Sequence, residues 1–320
     1  MMKRVAVLLV AAFALTACGG PGRPVDLAVV TSADRPEPEG SGPGQANAAG
    51  SQTPDCGDPT ASLRPAGLGI GSGSTMAKIR ERGRLIAGVD QNTYLFGFRN
   101  PATNALEGFD IDMAKQVAKA IFNDEGKIQF KVISSRDREK VLEAGEVDIV
   151  VRTYTINCDR LQKVAFSTVY YTTGQRVLVP KGAPVSSIDD LAGKKVCANA
   201  GSTSLAQIAK HPAKPVPWSV INWSDCLVLL QQGQVAAIST DEPILVGMVA
   251  QDPAVKIVGP KLTEEPYGIG IPKGNVDMVK FVNAVLDRAR GDGSWQQSYN
   301  RWVAERLGES ATPPTPKYRD

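Results

Sequence analysis

The chain has 320 residues, of which 42% are hydrophobic, and its formal net charge at pH 7 is +3. This length predicts about two domains, and the small net charge gives no electrostatic basis for binding nucleic acid. The single histidine, His211, lies in a loop-like segment, and no cysteine pair has zinc-site spacing. We therefore expect no metal, no other cofactor and no Ser-His-Asp catalytic site.

The N-terminus has the features of an export signal. A basic head precedes the apolar run VAVLLVAAFAL at residues 5–15, which is shorter than the roughly 20 residues that span a bilayer. The run ends in LTAC, which looks like a lipobox. We expect residues 1–17 to be a lipoprotein signal peptide and Cys18 to be acylated, which anchors the exported protein to the outer face of the bacterial cytoplasmic membrane. The alternative is an ordinary signal peptide with a chance cysteine.

Two segments have the composition of disordered chain. Residues 18–75 are rich in Gly, Pro, Ser and Ala, and residues 309–320 contain three prolines. Such segments bury too little apolar surface to offset the entropy lost on ordering. The sequence therefore predicts a flexible tether and a disordered tail around a folded body of residues 76–308.

The folded body alternates predicted strands and helices. After the strand RLIAGVD (84–90), a helix in GFDIDMAKQVAKAIFN (108–123) is predicted to start at Asp110 as its N-cap. The next helix is predicted to end at Gly145, before the buried strand DIVV. The same unit recurs later, with Leu142, Gly145 and Val147 corresponding to Leu230, Gly233 and Val235. This repeat predicts a second, similar α/β lobe.

Polar residues follow the predicted strands, at the sheet edge where open α/β sheets bind ligands. They are Asp90, the segment RTYTINCDR (152–160), the segment NAGSTS (199–204) and the segment TDE (240–242). A helix starting near Ser202 would offer free backbone N–H groups to an anion, although the same residues are ordinary capping residues. Arg160 with nearby hydroxyls on one side and an acid on the other match a carboxylate and an ammonium. The pattern therefore predicts an α-amino acid as ligand.

From about residue 78 to residue 307 the chain resembles the family 3 extracellular solute-binding proteins of polar amino acid importers, especially the glutamate- and glutamine-binding members. The resemblance is carried by LEGFDIDMAKQVA, GEVDIVVRTYTINCDR, VYYTTGQRVLV, DLAGKKVCANAGSTS, ISTDEPILVG and YGIGIPKG. It implies a two-lobed, type II periplasmic-binding-protein-like fold of two doubly wound α/β lobes with a two-strand hinge and an interlobe cleft. Lobe one would be 76–171 plus 269–308 and lobe two 173–267, with crossovers near Tyr170–Gly174 and Glu265–Ile269.

The resemblance also implies which residues hold the amino acid backbone. Arg160, Thr155 and the backbone N–H groups of Ser202 and Thr203 would bind the α-carboxylate, since a guanidinium matches its two oxygens. Asp241, assisted by Thr153, would bind the α-ammonium. For Arg160 the alternative is a surface ion pair with Asp159 or Glu143.

The residues implied for the ligand side chain give a mixed signal. Arg138 matches an arginine that holds a distal carboxylate in acidic amino acid binders, and Ser135 matches a neighbouring contact, whereas Asp90 matches an acceptor for a side-chain amide. Tyr94 is expected to pack on the ligand's methylenes. Arg99 is a further candidate, with a solvated turn as the alternative. We therefore expect binding of more than one of glutamate, aspartate, asparagine and glutamine.

Four cysteines remain after Cys18, an even number that fits an oxidising compartment and allows three connectivities. The resemblance pairs Cys197 with Cys226, as in some glutamate binders. This leaves Cys56 and Cys158 as the second pair.

The resemblance implies binding without catalysis. The expected partner of a monomeric protein is the membrane permease of an ABC importer or a transmembrane receptor. One rival is an exported lyase similar to cyclohexadienyl dehydratases, with Glu242 as its acid, and another is a structural lipoprotein without a ligand.

Overall fold

The structure is a computed structural model that describes residues 35–44 and 55–319. The expected signal peptide and the expected acylation site at Cys18 lie outside the described residues. From residue 37 onward the described chain belongs to one unit. No helix in the described ranges is long and apolar enough to cross a bilayer.

Short strands and helices alternate along the described chain. The strands are β1 (Gly42–Pro43), β2 (Ser62–Leu63), β3 (Leu85–Val89), β4 (Asn92–Thr93), β5 (Gly97–Arg99), β6 (Leu106–Glu107), β7 (Ile128–Val132), β8 (Ile149–Val150), β9 (Val164–Phe166), β10 (Tyr171–Thr173), β11 (Gln175–Pro180), β12 (Lys195–Asn199), β13 (Val216–Val220), β14 (Ala237–Asp241), β15 (Val255–Val258), β16 (Glu265–Tyr267), β17 (Gly270–Pro272) and β18 (Tyr318–Arg319). The helices are α1 (Thr75–Arg82), α2 (Phe109–Phe122), α3 (Arg138–Glu143), α4 (Cys158–Lys163), α5 (Thr203–Lys210), α6 (Trp223–Gln231), α7 (Glu242–Gln251), α8 (Val276–Gly291), α9 (Ser294–Tyr299) and α10 (Glu305–Leu307). Single 3₁₀ turns lie at Ser135–Asp137 and Ile188–Leu191, and a π-helical turn at Asn300–Ala304.

The first lobe is built on a five-stranded sheet with the order β7-β3-β8-β17-β9. The strand β3 runs parallel to β7 and β8, and β17 runs antiparallel to β8 and β9. Because β3 is buried almost throughout, its sequence is apolar without alternation. Helix α2 packs on β3 and against α8, which closes a large apolar core. Since β17 and α8 follow the second lobe in the chain, the first lobe is discontinuous.

The second lobe is built on a six-stranded sheet with the order β1-β13-β12-β14-β11-β15. The strand β12 is parallel to β13 and β14, whereas β11 is antiparallel to β14 and β15. Helices α5 and α6 both pack on β12. This lobe has its own buried apolar core, separate from that of the first lobe.

Two crossing strands join the lobes. The strand β10 leaves the first lobe, β16 returns from the second, and the two pair antiparallel with Tyr171 opposite Tyr267 and Thr173 opposite Glu265. Both lie inside the segments where the crossovers were expected. The structure therefore has the two-lobed architecture with a two-strand connection that the sequence predicts.

A helix, a left-handed glycine and a strand recur in both lobes. Gly145 after α3 has φ +65°, and Gly233 after α6 has φ +69°. Each donates its N–H to a carbonyl of the preceding helix, Gly145 to Leu142 and Gly233 to Leu230. A side chain would be strained at such φ values, so glycine ends each helix and turns the chain into the strand that leads to the cleft.

The start of α2 differs from the prediction. The helix begins at Phe109 with Gly108 as its N-cap, so Asp110 lies inside the first turn. Its carboxylate is buried and accepts from the backbone N–H of Thr153 and from the Tyr170 hydroxyl. Asp110 is therefore a tertiary contact between α2 and the segment after β8, and not a helix cap.

The predicted tether is too long, because parts of it pack on the folded body. The strand β1 pairs with β13, where Gly42 lies opposite Ser219. Further along, the Ser62 hydroxyl donates to the carbonyl of Phe166, and α1 already begins at Thr75. Composition alone did not reveal these contacts, because they depend on partners more than 100 residues away in the chain.

The C-terminal tail was predicted to be disordered, and the structure corrects this as well. The strand β18 pairs in parallel with β2, with Tyr318 opposite Ser62. The Tyr318 hydroxyl donates to Asp287 in α8, and Arg290 donates to the carbonyl of Pro314. The tail strand β18 and the N-terminal strand β2 thus form a small two-stranded ribbon on the first lobe.

The described residues form two disulfides. One joins Cys56, in the N-terminal segment, to Cys158, the first residue of α4. The other joins Cys197 in β12 to Cys226 in α6, within the second lobe. The first bond ties the N-terminal segment to the short helix that carries Arg160.

Candidate functional site

A small cavity lies between the lobes, where the chain leaves the carboxyl ends of β8, β12 and β14. Ser135, Arg138, Thr153 and Thr155 line it from the first lobe, and Ser202, Thr203, Ser204, Trp223, Asp241 and Ile244 line it from the second. The position agrees with the rule that open α/β sheets bind ligands at this edge. The structure thus brings together seven of the residues predicted to contact the ligand, and Ser204 from the segment NAGSTS. It adds Trp223 and Ile244, which the sequence analysis did not name.

The lobes touch across this cavity. The carbonyl oxygen of Gly201, in the second lobe, accepts from Nη2 of Arg138 at 3.1 Å and from Nη2 of Arg160 at 3.2 Å. A Cβ atom on Gly201 would lie 2.6 Å from Cα of Arg136, and one on Gly247 would lie 2.8 Å from the Tyr94 carbonyl oxygen. Glycine at these two positions permits the close approach of the lobes.

Arg160 is held at the first-lobe side of the cleft, next to the cavity-lining Arg138. It lies in α4, whose N-cap is Asn157, and its exposed fraction is 7%. Its Nη1 donates to the carbonyl of Thr155 at 2.6 Å, and its Nε lies 3.3 Å from Oε1 of Glu139. Its ion pair is therefore with Glu139, and not with Asp159 or Glu143.

Arg138 lies inside the cavity wall and is buried. Its Nε donates to the Ser135 carbonyl at 2.9 Å, and its guanidinium lies 4.4 Å from the ring centroid of Tyr154. The guanidinium of Arg160 lies 5.0 Å from the same ring. Tyr154 therefore stabilises two neighbouring cations through its π face.

The side chains of Arg138 and Arg160 are two buried cations in the first lobe. Burial, and next the charge of Arg160, lower the pKa of Arg138 to about 9, so it is still a cation at neutral pH. Burial raises the pKa of Glu139, but the charges of Arg138 and Arg160 outweigh this and lower it overall. One carboxylate thus faces two guanidiniums, which leaves the region with a net positive charge suited to an anion.

Asp241 forms the opposite wall, at the end of β14 in the second lobe. Its Oδ2 accepts from the Tyr267 hydroxyl, whereas no donor among the described residues reaches its buried Oδ1. Burial and the nearby charge of Glu265 raise the pKa of Asp241 to about 8. A buried acceptor without a partner is costly, and a cationic donor from a ligand would remove that cost.

Thr153 has an unusual backbone conformation beside the cavity. Its φ is +39°, and its N–H donates to Oδ2 of Asp110 at 2.7 Å. A positive φ is strained for a β-branched residue and persists only where the surrounding structure fixes the backbone. Burial raises the pKa of Asp110 to about 6, and bonds from Tyr170 and Thr153 oppose the shift. At neutral pH Asp110 is therefore an ionised acceptor that holds Thr153 in place.

The start of α5 supplies backbone donors to the same cavity. Ser202 is the N-cap, and its hydroxyl accepts from the N–H of Leu205. The N–H of Ser202 itself donates to the Asn199 carbonyl, within the turn. The first N–H groups of a helix have no intrahelical partner, so Thr203, the first helical residue, is better placed than Ser202 to donate to an anion.

Behind Ser135 lies an ion pair that the sequence analysis missed. Nη2 of Arg152 lies 3.0 Å from Oδ2 of Asp90, and both side chains are buried. Arg152 also donates to the Ser135 hydroxyl and to the Ile133 carbonyl. Asp90 was expected to face a ligand amide, but the structure pairs it with Arg152 and does not place it among the residues that line the cavity.

Two other expected contacts lie outside the cavity. The ring of Tyr94 packs edge-on against Phe98, with the centroids 4.8 Å apart. Arg99 is exposed in the hairpin of β5, where it donates to Gln91 and to the carbonyl of Asn104. The solvated turn considered as the alternative for Arg99 agrees with this position.

Glu242, the acid in the alternative lyase hypothesis, is paired with two cations of the second lobe. It forms ion pairs with Arg176 and with Lys261. Burial raises its pKa, but the bonds from Arg176 and Lys261 outweigh this and lower it overall. Glu242 is therefore ionised at neutral pH and is a poor proton donor.

Comparison with known proteins agrees with this architecture. Residues 85–305 match the family model for bacterial extracellular solute-binding proteins, family 3. The chain is 39% identical over 232 residues to the ABC transporter glutamine-binding protein GlnH of Bacillus subtilis, which covers 72% of this chain and 85% of that protein. It is 34% identical over 244 residues to the glutamate-binding protein GluB of Corynebacterium efficiens, covering 72% and 81%.

A solved structure is similar as well. An ancestral arginine-binding protein bound to glutamine superposes with a TM-score of 0.65 at 35% identity, covering 69% of this chain and 98% of that one. These relatives are named as binding proteins, not as enzymes, which agrees with the expectation that the chain has no catalytic function. The chain belongs to family 3 of the bacterial extracellular solute-binding proteins.

Proposed function

We propose that the protein is an exported, lipid-anchored binding protein for α-amino acids with an acidic or amide side chain: glutamate, aspartate, asparagine and glutamine. The names of its relatives, which include a glutamine-binding and a glutamate-binding protein, support this choice of ligands. The binding site in this proposal is the interlobe cavity.

One observation carries the proposal: Oδ1 of Asp241 is a buried acceptor without a donor, in a cavity whose opposite wall is cationic. An α-ammonium group supplies the missing donor and the missing positive charge together. The carbonyl or hydroxyl of Thr153, which lines the same cavity, adds an acceptor for a second N–H of that group.

The α-carboxylate of the ligand would lie between Arg160, with Thr155 beside it, and the start of α5. In the structure the Nη2 atoms of Arg138 and Arg160 both donate to the neutral carbonyl of Gly201. Hydrogen bonds between a guanidinium and a carboxylate are roughly twice as strong as those between neutral groups, and they are commonly bidentate. A carboxylate would therefore replace Gly201 as the acceptor.

Closure of the lobes completes the site in this proposal. Arg160 and Thr153 belong to the first lobe, and Asp241 and α5 to the second, so an open protein offers only half of the ligand's partners. A ligand shifts the equilibrium towards the closed form by its differential affinity for that form.

The closed form would be recognised by a membrane partner. The permease of an ABC importer is the first candidate, since the relative from Bacillus subtilis is named as an ABC transporter protein, and a transmembrane receptor is the second. The lipobox at Cys18 supports anchoring, and a Cys18→Ala variant should be released from membranes into the medium. The protein is proposed to act as a monomer.

Titration calorimetry of the purified protein with the four amino acids, and with arginine and histidine, tests the proposed function. We expect binding of at least one acidic or amide ligand. Asp241→Asn should weaken it by about 100-fold or more, because removing one partner of a buried charge pair costs about 3–5 kcal/mol. The matched control is Asp189→Asn, at an exposed position of the same lobe. Binding of arginine or histidine alone would contradict the proposal.

A further inference from the structure

The buried ion pair of Arg152 and Asp90 lies directly behind Ser135, a residue of the cavity wall. The exposed fractions of the two residues are 1% and 3%. Arg152 donates to the hydroxyl of Ser135, and Ser135 lines the cavity beside Arg138. The pair therefore supports the part of the wall that would face a ligand's side chain.

The position of the pair follows from strand register. The strands β3 and β8 are parallel neighbours in which Gly88 lies opposite Val150. Asp90 comes two residues after Gly88, and Arg152 comes two residues after Val150. Both side chains therefore leave the sheet side by side, at the edge where the cavity lies.

The acceptor sites of Asp90 are taken by the protein itself. Its Oδ1 accepts from the backbone N–H groups of Gln91 at 2.7 Å and of Asn92 at 3.1 Å. Its Oδ2 accepts from the Thr93 hydroxyl at 2.5 Å and faces Nη2 of Arg152 at 3.0 Å. A carboxylate has about four acceptor sites on its two oxygens. Three of these sites accept hydrogen bonds from the protein, and the ion pair with Arg152 neutralises the charge of Asp90.

The charged groups around this end of the cavity are already paired with one another. Arg152 faces Asp90 and acts on Asp110, and Arg138 and Arg160 act on Glu139. A ligand with a cationic side chain would leave water for a place where Arg138 forms the wall and the carboxylates already have cationic partners, which is unfavourable. A carboxylate or an amide oxygen would instead find the guanidinium of Arg138.

We propose that Arg152 is a specificity-determining residue of this site. By holding Asp90 it prevents that acid from accepting a cationic side chain, and it makes the protein select acidic and amide side chains over arginine and lysine. This inference rests on the proposed function, because it assigns the ligand's side chain to the end of the cavity at Ser135 and Arg138.

The test is titration calorimetry of wild type and Arg152→Met with glutamate, glutamine, arginine and lysine. We expect the ratio of the arginine affinity to the glutamate affinity to rise by about tenfold or more in Arg152→Met, because the freed Asp90 becomes an acceptor. Arg152→Lys keeps the charge and should keep the wild-type ranking. The double variant Asp90→Asn/Arg152→Met should lose the gain for arginine.

A purely structural role would change all four affinities alike, so an unchanged ranking in Arg152→Met overturns the inference, as does a gain for arginine that persists in the double variant. If Arg152→Met does not fold, a crystal structure of the wild type with glutamine shows whether Asp90 is paired with Arg152 or contacts the ligand. We expect Asp90 still paired with Arg152, and a direct bond from Asp90 to the ligand's amide would overturn the inference. A wild type that binds no amino acid refutes the proposed function itself, which is a distinguishable result.

Discussion

The hydroxyl of Tyr267 donates to Oδ2 of Asp241, which joins the second crossing strand to the cavity wall of the second lobe. Both residues are buried, and burial, with the charge of Asp241, keeps the pKa of Tyr267 well above its ordinary value. The phenol is therefore a donor at every physiological pH. Because β16 connects the lobes, this bond ties the orientation of Asp241 to the geometry of the connection.

The first prediction concerns the pH dependence of the ligand-free protein. Burial and Glu265 raise the pKa of Asp241 from 3.8 to about 8, so the folded protein binds this proton more tightly than the unfolded chain. The stability contributed by Asp241 is then fully present below about pH 4 and is lost as the pH rises through about 8. We expect the unfolding temperature of wild type relative to Asp241→Asn to fall between about pH 5 and about pH 9.

Two comparisons separate this effect from other groups. The pKa of Asp110 is raised to about 6, so its contribution to stability also falls as the pH rises. Asp110 is present in both wild type and Asp241→Asn. The difference in unfolding temperature between the two proteins therefore reports on Asp241 alone. Saturation with a bound amino acid should remove the loss at high pH, since an ammonium stabilises the ionised form. A wild-type curve parallel to that of Asp241→Asn would refute the assignment.

The second prediction separates charge from geometry at Arg160. Arg160→Ala should weaken ligand binding by about 100-fold or more, because it leaves the ligand's carboxylate without its partner. Arg160→Lys should restore only part of the affinity, since an ammonium cannot form the bidentate pair. Calorimetry measures both, with Arg99→Lys as the matched control at an exposed position. Equal affinities of Arg160→Lys and wild type would argue against a bidentate contact.

The third prediction concerns lobe closure at Gly247. This glycine lies inside α7, where alanine favours the helix by about 1 kcal/mol. Its added Cβ would lie 2.8 Å from the Tyr94 carbonyl oxygen in the other lobe. Gly247→Ala should therefore keep or raise the unfolding temperature and weaken ligand binding by about tenfold or more.

The matched control for closure is Gly291→Ala, at the end of α8, where an added Cβ meets nothing within 4 Å. It should leave ligand affinity unchanged. If Gly247→Ala binds as well as this control, Gly247 does not limit closure.

The fourth prediction assigns different roles to the two disulfides. The Cys56–Cys158 bond closes a separation of 102 residues and the Cys197–Cys226 bond one of 29. In the chain-entropy description they contribute about 4.7 and about 3.6 kcal/mol to the free energy of unfolding. Only the first one ends at the helix that carries Arg160. Replacing both cysteines of either pair by serine should lower the free energy of unfolding. Only the replacement of Cys56 and Cys158 should also lower ligand affinity.

Thermal unfolding and calorimetry on the two double variants measure this difference. Unreduced mass spectrometry of the wild type checks the pairing first, and a freely alkylated Cys158 would contradict it. Equal losses of affinity in both variants would mean that the first bond has no special effect on Arg160.

Much of the site follows from local sequence logic. Asp241 and Thr153 could be placed because polar residues after buried strands meet at one sheet edge. Gly145 and Gly233 could be placed because a left-handed residue ends a helix. Both rules need only the residues next to the position concerned.

The features that were missed depend on partners far away in the chain. The Arg152–Asp90 pair requires the register of β3 against β8, and no local pattern contains it. Residues 55–75 have the composition of a tether, yet a disulfide and a strand pair fix them to the first lobe. Arg152 carried one usable signal, since it comes directly after the apolar run DIVV, as Asp90 comes directly after the apolar run LIAGV.

The most direct test of the central claim is a crystal structure of the protein with glutamate bound. We predict the α-ammonium within about 3.2 Å of Oδ1 of Asp241 and the α-carboxylate in contact with the guanidinium of Arg160 and the start of α5. A bound glutamate whose carboxylate makes no contact with Arg160, or whose ammonium lies away from Asp241, would contradict it.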